Sequence, residues 1–135
     1  MRILGLDIGD RWIGVALSDP GGILATPFTI IARTDDIKDI ETILDIINQQ
    51  EVGQIVVGLP FSMDGSVGQQ ADKVKSFTQE LTSRAGVSVE FRDERLTTVS
   101  ARRLIRSVGK KKRSEKARDD AVAAALILQG YLDEI

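Results

Sequence analysis

Residues Ile3-Leu4-Gly5-Leu6-Asp7-Ile8 are apolar at every position but one. A strand with one wet face alternates apolar and polar residues, whereas a nearly continuous apolar run belongs to a strand buried on both faces. A sheet built on such a strand needs cover on both sides. With 135 residues and 42% hydrophobic content, the chain is long enough to form one domain with a sizeable core and no covalent staples.

The rest of the chain reads as strands and helices around that run. Gly9-Asp10 makes a turn, Trp12 to Leu17 a second strand antiparallel to the first, and Pro20-Gly21-Gly22 the next turn. Ile23 to Ile31 reads as a third strand, with Pro27 implying an edge position or a bulge. Ile37, Ile40, Ile43, Leu44 and Ile47 recur at helical spacing behind an N-capping Asp35 or Asp36. Gln54 to Val57 is a short buried strand stopped by Gly58-Leu59-Pro60. Val67, Ala71, Val74, Phe77 and Leu81 form a second helical stripe that Gly86 ends, and Val87, Val89 and Phe91 alternate as a strand. A third helix runs from Thr97 or Thr98 through Leu104, Ile105 and Val108 to Gly109, and a last one from about Ala117 to Tyr131. The order βββαβαβαα predicts an α/β fold with a mixed sheet, a three-stranded antiparallel meander plus two further strands, flanked by helices. No linker, repeat or low-complexity tract divides residues 1–135.

The chain has no Cys and no His. Disulfides, zinc-thiolate sites, thiol nucleophiles and Ser-His pairs are excluded, which leaves carboxylates as the main chemical resource. Three stand where a hydrophobic element ends or turns polar: Asp7 on the first strand, Glu94 beyond the fifth, and Asp120 in the Ala-rich final helix. Such a set suits Mg²⁺ or Mn²⁺, which prefer hard oxygen ligands and serve phosphodiester hydrolysis without a histidine base. Strand alternation puts Ile3, Gly5 and Asp7 on one face, so Gly5 is expected to leave room beside Asp7. At 100° per residue Asp120 flanks the stripe of Ala117, Ala124 and Leu128, and Asp119 points nearly opposite. Each acid also has a plainer role, Asp7 beside a turn and Asp119 and Asp120 as helix N-terminal acids. Periodicity alone does not choose between Asp93 and Glu94, and Arg95 can pair with either or contact phosphate.

The net charge of −2 argues against a surface coated in basic residues. Positive charge is instead concentrated at Lys110, Lys111, Lys112, Arg113, Lys116 and Arg118, just before Asp120. Beside a carboxylate site this run would recruit a phosphate backbone; otherwise it is a solvated charge run in a loop, and the segment alone fits both. The N-terminus lacks the layout of a signal peptide and no apolar run reaches membrane-spanning length, so a soluble cytoplasmic protein without membrane contact is expected.

Leu4-Gly5-Leu6-Asp7-Ile8-Gly9 with Gly14-Val15-Ala16, Val57-Gly58-Leu59-Pro60 with Met63-Asp64-Gly65, Asp93-Glu94-Arg95-Leu96-Thr97-Thr98, and Asp120 with Ala123-Ala124 and Leu128 together resemble the YqgF/RuvX family over essentially the whole chain. That family is similar to the RNase H-like superfamily, whose fold opens with a three-stranded meander ending in a catalytic Asp. The resemblance implies a single RNase H-like nuclease domain with Asp7, Glu94 and Asp120 as catalytic and metal-binding acids, and so favours Glu94 over Asp93. It implies Mg²⁺ or Mn²⁺ as cofactor, and structured RNA such as pre-16S rRNA, or branched DNA, as partner. Family members were first proposed as Holliday junction resolvases and are also implicated in 5′-end maturation of pre-16S rRNA. Contact with pre-ribosomal particles, and a monomer or homodimer, complete the expectation. Arg95, Lys110, Lys111, Lys112, Arg113 and Lys116 are the candidate phosphate contacts. The competing readings are a non-catalytic RNA-binding assembly factor and an actin-like ATPase, the latter needing a second lobe for which this chain is too short.

Overall fold

The computed structural model describes residues 1–60, 68–93 and 113–135, the last segment with side chains from Ala121 onward. Strands β1 (Arg2–Ile8), β2 (Trp12–Ser18) and β3 (Ala25–Ala32) form the meander, followed by helix α1 (Asp36–Gln49), strand β4 (Val52–Leu59), helix α2 (Gln69–Ala85), strand β5 (Ser88–Asp93) and helix α3 (Arg113–Glu134). The five strands make one mixed sheet in the order β3-β2-β1-β4-β5. β1 is antiparallel to β2 and parallel to β4, and β5 is parallel to β4. β1 therefore lies at the centre, where its apolar sequence requires it to be. The predicted Thr97–Val108 helix lies outside the described residues, as do Val67, Glu94, Arg95 and Lys110 to Lys112.

The two faces of the sheet are covered unequally. Leu4, Leu6, Ile8, Ile13, Val15, Ile55 and Val57 turn to the side of α1 and α2 and pack with Ile40, Ile43, Val74, Phe77 and Leu81. Among the described residues the opposite face receives only α3, through Ala16 and Val56 against Ala124, Ala125, Ile127, Leu128 and Leu132. Small residues let the helix come close. A Cβ placed on Gly5 would sit 2.8 Å from Leu128 Cβ and 3.0 Å from the Ala124 carbonyl oxygen, and one on Gly58 would sit 2.5 Å from Ile127 Cδ1.

Several boundaries depart from the sequence expectation for physical reasons. Ile23 and Leu24 do not belong to β3; they are 75% and 59% exposed, because the Asp19 carboxylate accepts the backbone N–H groups of Gly21, Ile23 and Leu24 and holds these residues in the turn. Pro27 lies on an edge strand and beside a bulge, since Val15 pairs with Thr29 and Ala16 with Pro27, leaving Phe28 as the extra residue. Asp35 caps α1 by accepting from Lys38 N, which turns Ile37 outward at 60% exposure, and Ile46 joins the buried stripe. β4 runs through Gly58 to Leu59 because both residues pair with β5. Helix α3 starts at Arg113 and not near Ala117, so Arg113 and Lys116 belong to the helix together with Arg118.

Two outcomes follow from these contacts. Gly5→Ala should destabilise by about 1–3 kcal/mol in urea unfolding, because its new methyl meets a Cβ and a backbone oxygen that cannot step aside. Gly58→Ala should lose less, since it meets the mobile end of Ile127. Equal losses would show that α3 shifts as a body. The three N–H donors hold the Asp19 pKa below its ordinary value, Leu24 contributing most and burial opposing only in part. A depressed folded-state pKa gives stability that is present above the unfolded-state pKa and is lost as pH falls through the folded one. The Tm gap between wild type and Asp19→Asn should therefore be open at neutral pH and shrink in acid below the usual carboxylate range; a gap independent of pH would refute this role of the charge.

Candidate active site at the C-terminal end of β1

Asp7 is the last but one residue of β1 and partly buried. It pairs directly with Gly14 and shares its face with Gly5, the face that α3 covers. The expectation that Gly5 opens space beside Asp7 is corrected here: that space is occupied by Leu128 and the Ala124 carbonyl. What Gly5 provides is a close approach of the helix to the strand.

Helix α3 runs against the direction of β1. Its C-terminal half meets the start of the sheet, with Tyr131 accepting a 2.7 Å hydrogen bond from Gln54 Nε2 and Gln129 accepting at 2.9 Å from the Ala25 N–H. Ala121 and Val122 lie beside Ile30, which pairs with Gly14 opposite Asp7. The backbone at Asp120, one helical turn before Ala124, thus stands at the same end and on the same face as Asp7. The buried positions of Ala124 and Leu128 match the stripe used to separate Asp120 from Asp119.

At the far side, β5 ends at Asp93, level with Leu59, and Glu94 follows it in the chain. Arg92 turns toward α3, where its guanidinium lies over Gly130 and Nη1 donates to Glu134 Oε2 at 2.7 Å. Val89 and Phe91 face α2 instead. Among the described residues no three acidic side chains converge.

The turn that follows Asp7 is held by residues that sequence reasoning did not single out. Gly9 N–H donates to the Trp12 carbonyl at 2.9 Å, while Arg33 Nη1 donates to the Gly9 carbonyl at 3.0 Å. Arg33 also donates to Asp39 at 2.8 Å and to Asp36 at 2.7 Å, and its guanidinium stacks over Phe77. Asp39, only 2% exposed, further accepts from Thr34 N and Oγ1. A carboxylate inside an Ile-rich amphipathic helix was the one available signal. Asp10 points away from α3 and pairs with Lys73 at 3.9 Å, lining a cavity of about 430 Å³ between the first turns of α1 and α2.

Arg33→Met should destabilise by about 3 kcal/mol in urea unfolding because it strands the buried Asp39 carboxylate. The double variant Arg33→Met/Asp39→Leu should recover most of that loss. A double variant as unstable as the single one would mean that Arg33 acts through the hairpin alone.

The family described as "RuvX: Holliday junction resolvase" matches residues 1–134. A relative from Dehalococcoides mccartyi, named "Putative pre-16S rRNA nuclease", is 48% identical over 94% of each chain. One of the same name from Thermoanaerobacter pseudethanolicus is 47% identical over 98% of this chain and 96% of its own. Among solved structures, Thermus thermophilus RuvC in complex with a Holliday junction substrate superposes with a TM-score of 0.63 at 13% identity, over 99% of this chain and 95% of that one. The fowlpox virus Holliday junction resolvase gives 0.58 at 14% identity over the full length of both. The fold is thus RNase H-like, and the chain belongs to the RuvX family of nucleases.

Proposed function

We propose that this chain is a divalent-cation-dependent endonuclease, a single domain over residues 1–135, that hydrolyses phosphodiester bonds in the 5′-end processing of pre-16S rRNA in the cytoplasm. The observation that carries the reading is the meeting of three chain segments at one end of the sheet: Asp7 near the end of β1, Asp93 immediately before Glu94, and Ala121 immediately after Asp120. Among the described residues no helix is long and apolar enough to cross a membrane.

The donor chemistry fits Mg²⁺ or Mn²⁺: carboxylate oxygens in a chain without His or Cys. Asp7, Glu94 and Asp120 would hold the cation. When bound, it supplies acidification of an attacking water and charge stabilisation at the leaving oxygen. Asp7 stands on the central strand, whose neighbours on both sides keep the carboxylate in one place. The orientation of Arg92 toward α3 supports Glu94 over Asp93, because alternate residues share a strand face. Arg95, Lys110, Lys111, Lys112, Arg113 and Lys116 would contact flanking phosphates and add affinity more than base choice.

The names of the relatives favour rRNA as substrate, and the family description favours branched DNA as the second reading. Purified protein with Mn²⁺ should be offered a precursor rRNA fragment and a four-way DNA junction side by side. Asp7→Asn, Glu94→Gln and Asp120→Asn should each abolish cleavage, and Asp119→Asn should leave it nearly intact. Added Mn²⁺ should raise wild-type stability by about 2.7 kcal/mol at a hundredfold excess over Kd, and Asp7→Asn should lose most of that gain. A Tm insensitive to Mn²⁺, with no cleavage of either substrate, would leave a non-catalytic RNA-binding factor as the better description.

A further inference from the structure

Beside the carboxylate end of the sheet runs an apolar groove of about 400 Å³, lined by Pro27, Phe28, Thr29 and Ile30 of β3 and by Ala121 and Val122 of α3. We propose that this groove seats an unstacked nucleobase of the substrate against Phe28, next to the phosphate to be cut. The inference rests on the nuclease reading above and adds to it a base contact and a substrate class: nucleic acid with an unpaired nucleotide beside the cleavage position.

Location is the first argument. Asp7 pairs with Gly14 and Gly14 with Ile30, and residues paired across antiparallel strands share a face. Two strand spacings, roughly 10 Å, therefore separate Asp7 from the groove on the side covered by α3. The other wall begins with the residue after Asp120. A nucleotide adjoining a phosphate at Asp7 would reach this groove without leaving the protein surface.

The lining decides the kind of occupant. Phe28 is 44% exposed, and among the described residues of the wall only Thr29 is of a polar type, so these residues offer a phosphate or another charged group little to replace its hydration. A strand from a second copy also fits poorly, because Pro27 has no N–H to offer and the bulge at Phe28 interrupts the edge. A flat heterocycle with an apolar π-face needs neither of these. Charge agrees: residues 110–118, the stretch leading into the helical wall, carry six basic residues and one acid, which suits the backbone on either side of such a base.

The test uses fluorescence anisotropy in Ca²⁺, with a single-stranded oligouridine and an abasic oligomer of the same backbone length as probes. Wild type should bind the base-bearing probe more tightly than the abasic one. Phe28→Ala should lose about tenfold for the base-bearing probe, with abasic binding and Tm unchanged, and Phe28→Trp should stay close to wild type. Equal affinity of wild type for both probes, or equal losses on both in Phe28→Ala, would overturn the proposal. So would concentration-dependent self-association in sedimentation that Phe28→Ala abolishes while base preference is absent, since the groove would then hold a second copy. Asp7→Asn separates the two ideas. It should keep the base preference while losing cleavage; if it cleaves normally, the carboxylate assignment fails and the base preference still decides the groove.

Discussion

Everything at the candidate site depends on how closely α3 lies on the sheet. Two glycines set that distance. At Gly5 the helix presents Leu128 Cβ and a main-chain oxygen within about one atomic contact of a missing side chain, and at Gly58 it presents Ile127. A Cβ at Gly5 would push the helix outward, and with it the backbone that bears Asp120, whereas one at Gly58 would first displace the end of the Ile127 side chain. The Ala tract from Ala121 to Ala125, interrupted only by Val122, is the helix's half of the same arrangement. Close approach here is a packing property that determines where the backbone of a candidate site residue stands.

The opposite face does a different job. Among the described residues it holds the larger core of Ile, Leu, Val and Phe side chains, whose apolar burial is the main favourable term in folding, and it anchors β1 from behind. Arg33 extends that anchorage to the turn after Asp7, tying the Gly9 carbonyl to the buried Asp39 and to the ring of Phe77. Arg92 performs a comparable service on the other side by joining the end of β5 to α3 through Glu134. Two chain ends with acidic neighbours are thus restrained by buried or half-buried arginines, whose planar forks suit several simultaneous acceptors.

Much of the fold was legible because strong, local signals agreed. The apolar run of β1, the turns around Gly9 and Gly21, and the helical spacing of Ile40, Ile43 and Ile47 each report one residue's neighbours a few positions away, and period alone interprets them. The departures arose where the hydrogen bonds of one side chain, or the packing of a distant helix, overrode what period indicates. Ile23 and Leu24 look like strand, but the Asp19 carboxylate takes their N–H groups first. Ile37 looks like core, but the Asp35 cap fixes the helix start and the phase that points it outward. Gly5 looked like open space because a sequence does not say which helix will fill a gap.

By itself, the sequence determined the chemical repertoire and the central strand: without Cys or His the chain's foremost candidates for catalysis are carboxylates, and its opening run can be satisfied only by burial on both faces. Only the tertiary structure decided which end of which elements meet. The antiparallel course of α3 over β1, set by Gly5, Gly58 and the hydrogen bonds of Gln129 and Tyr131, brings together a strand end and a helix turn more than a hundred residues apart in the chain. The reason is physical. Period and composition encode which face of an element is apolar, whereas the direction and height at which two elements pack depend on side-chain shapes that come into contact only after the chain has closed.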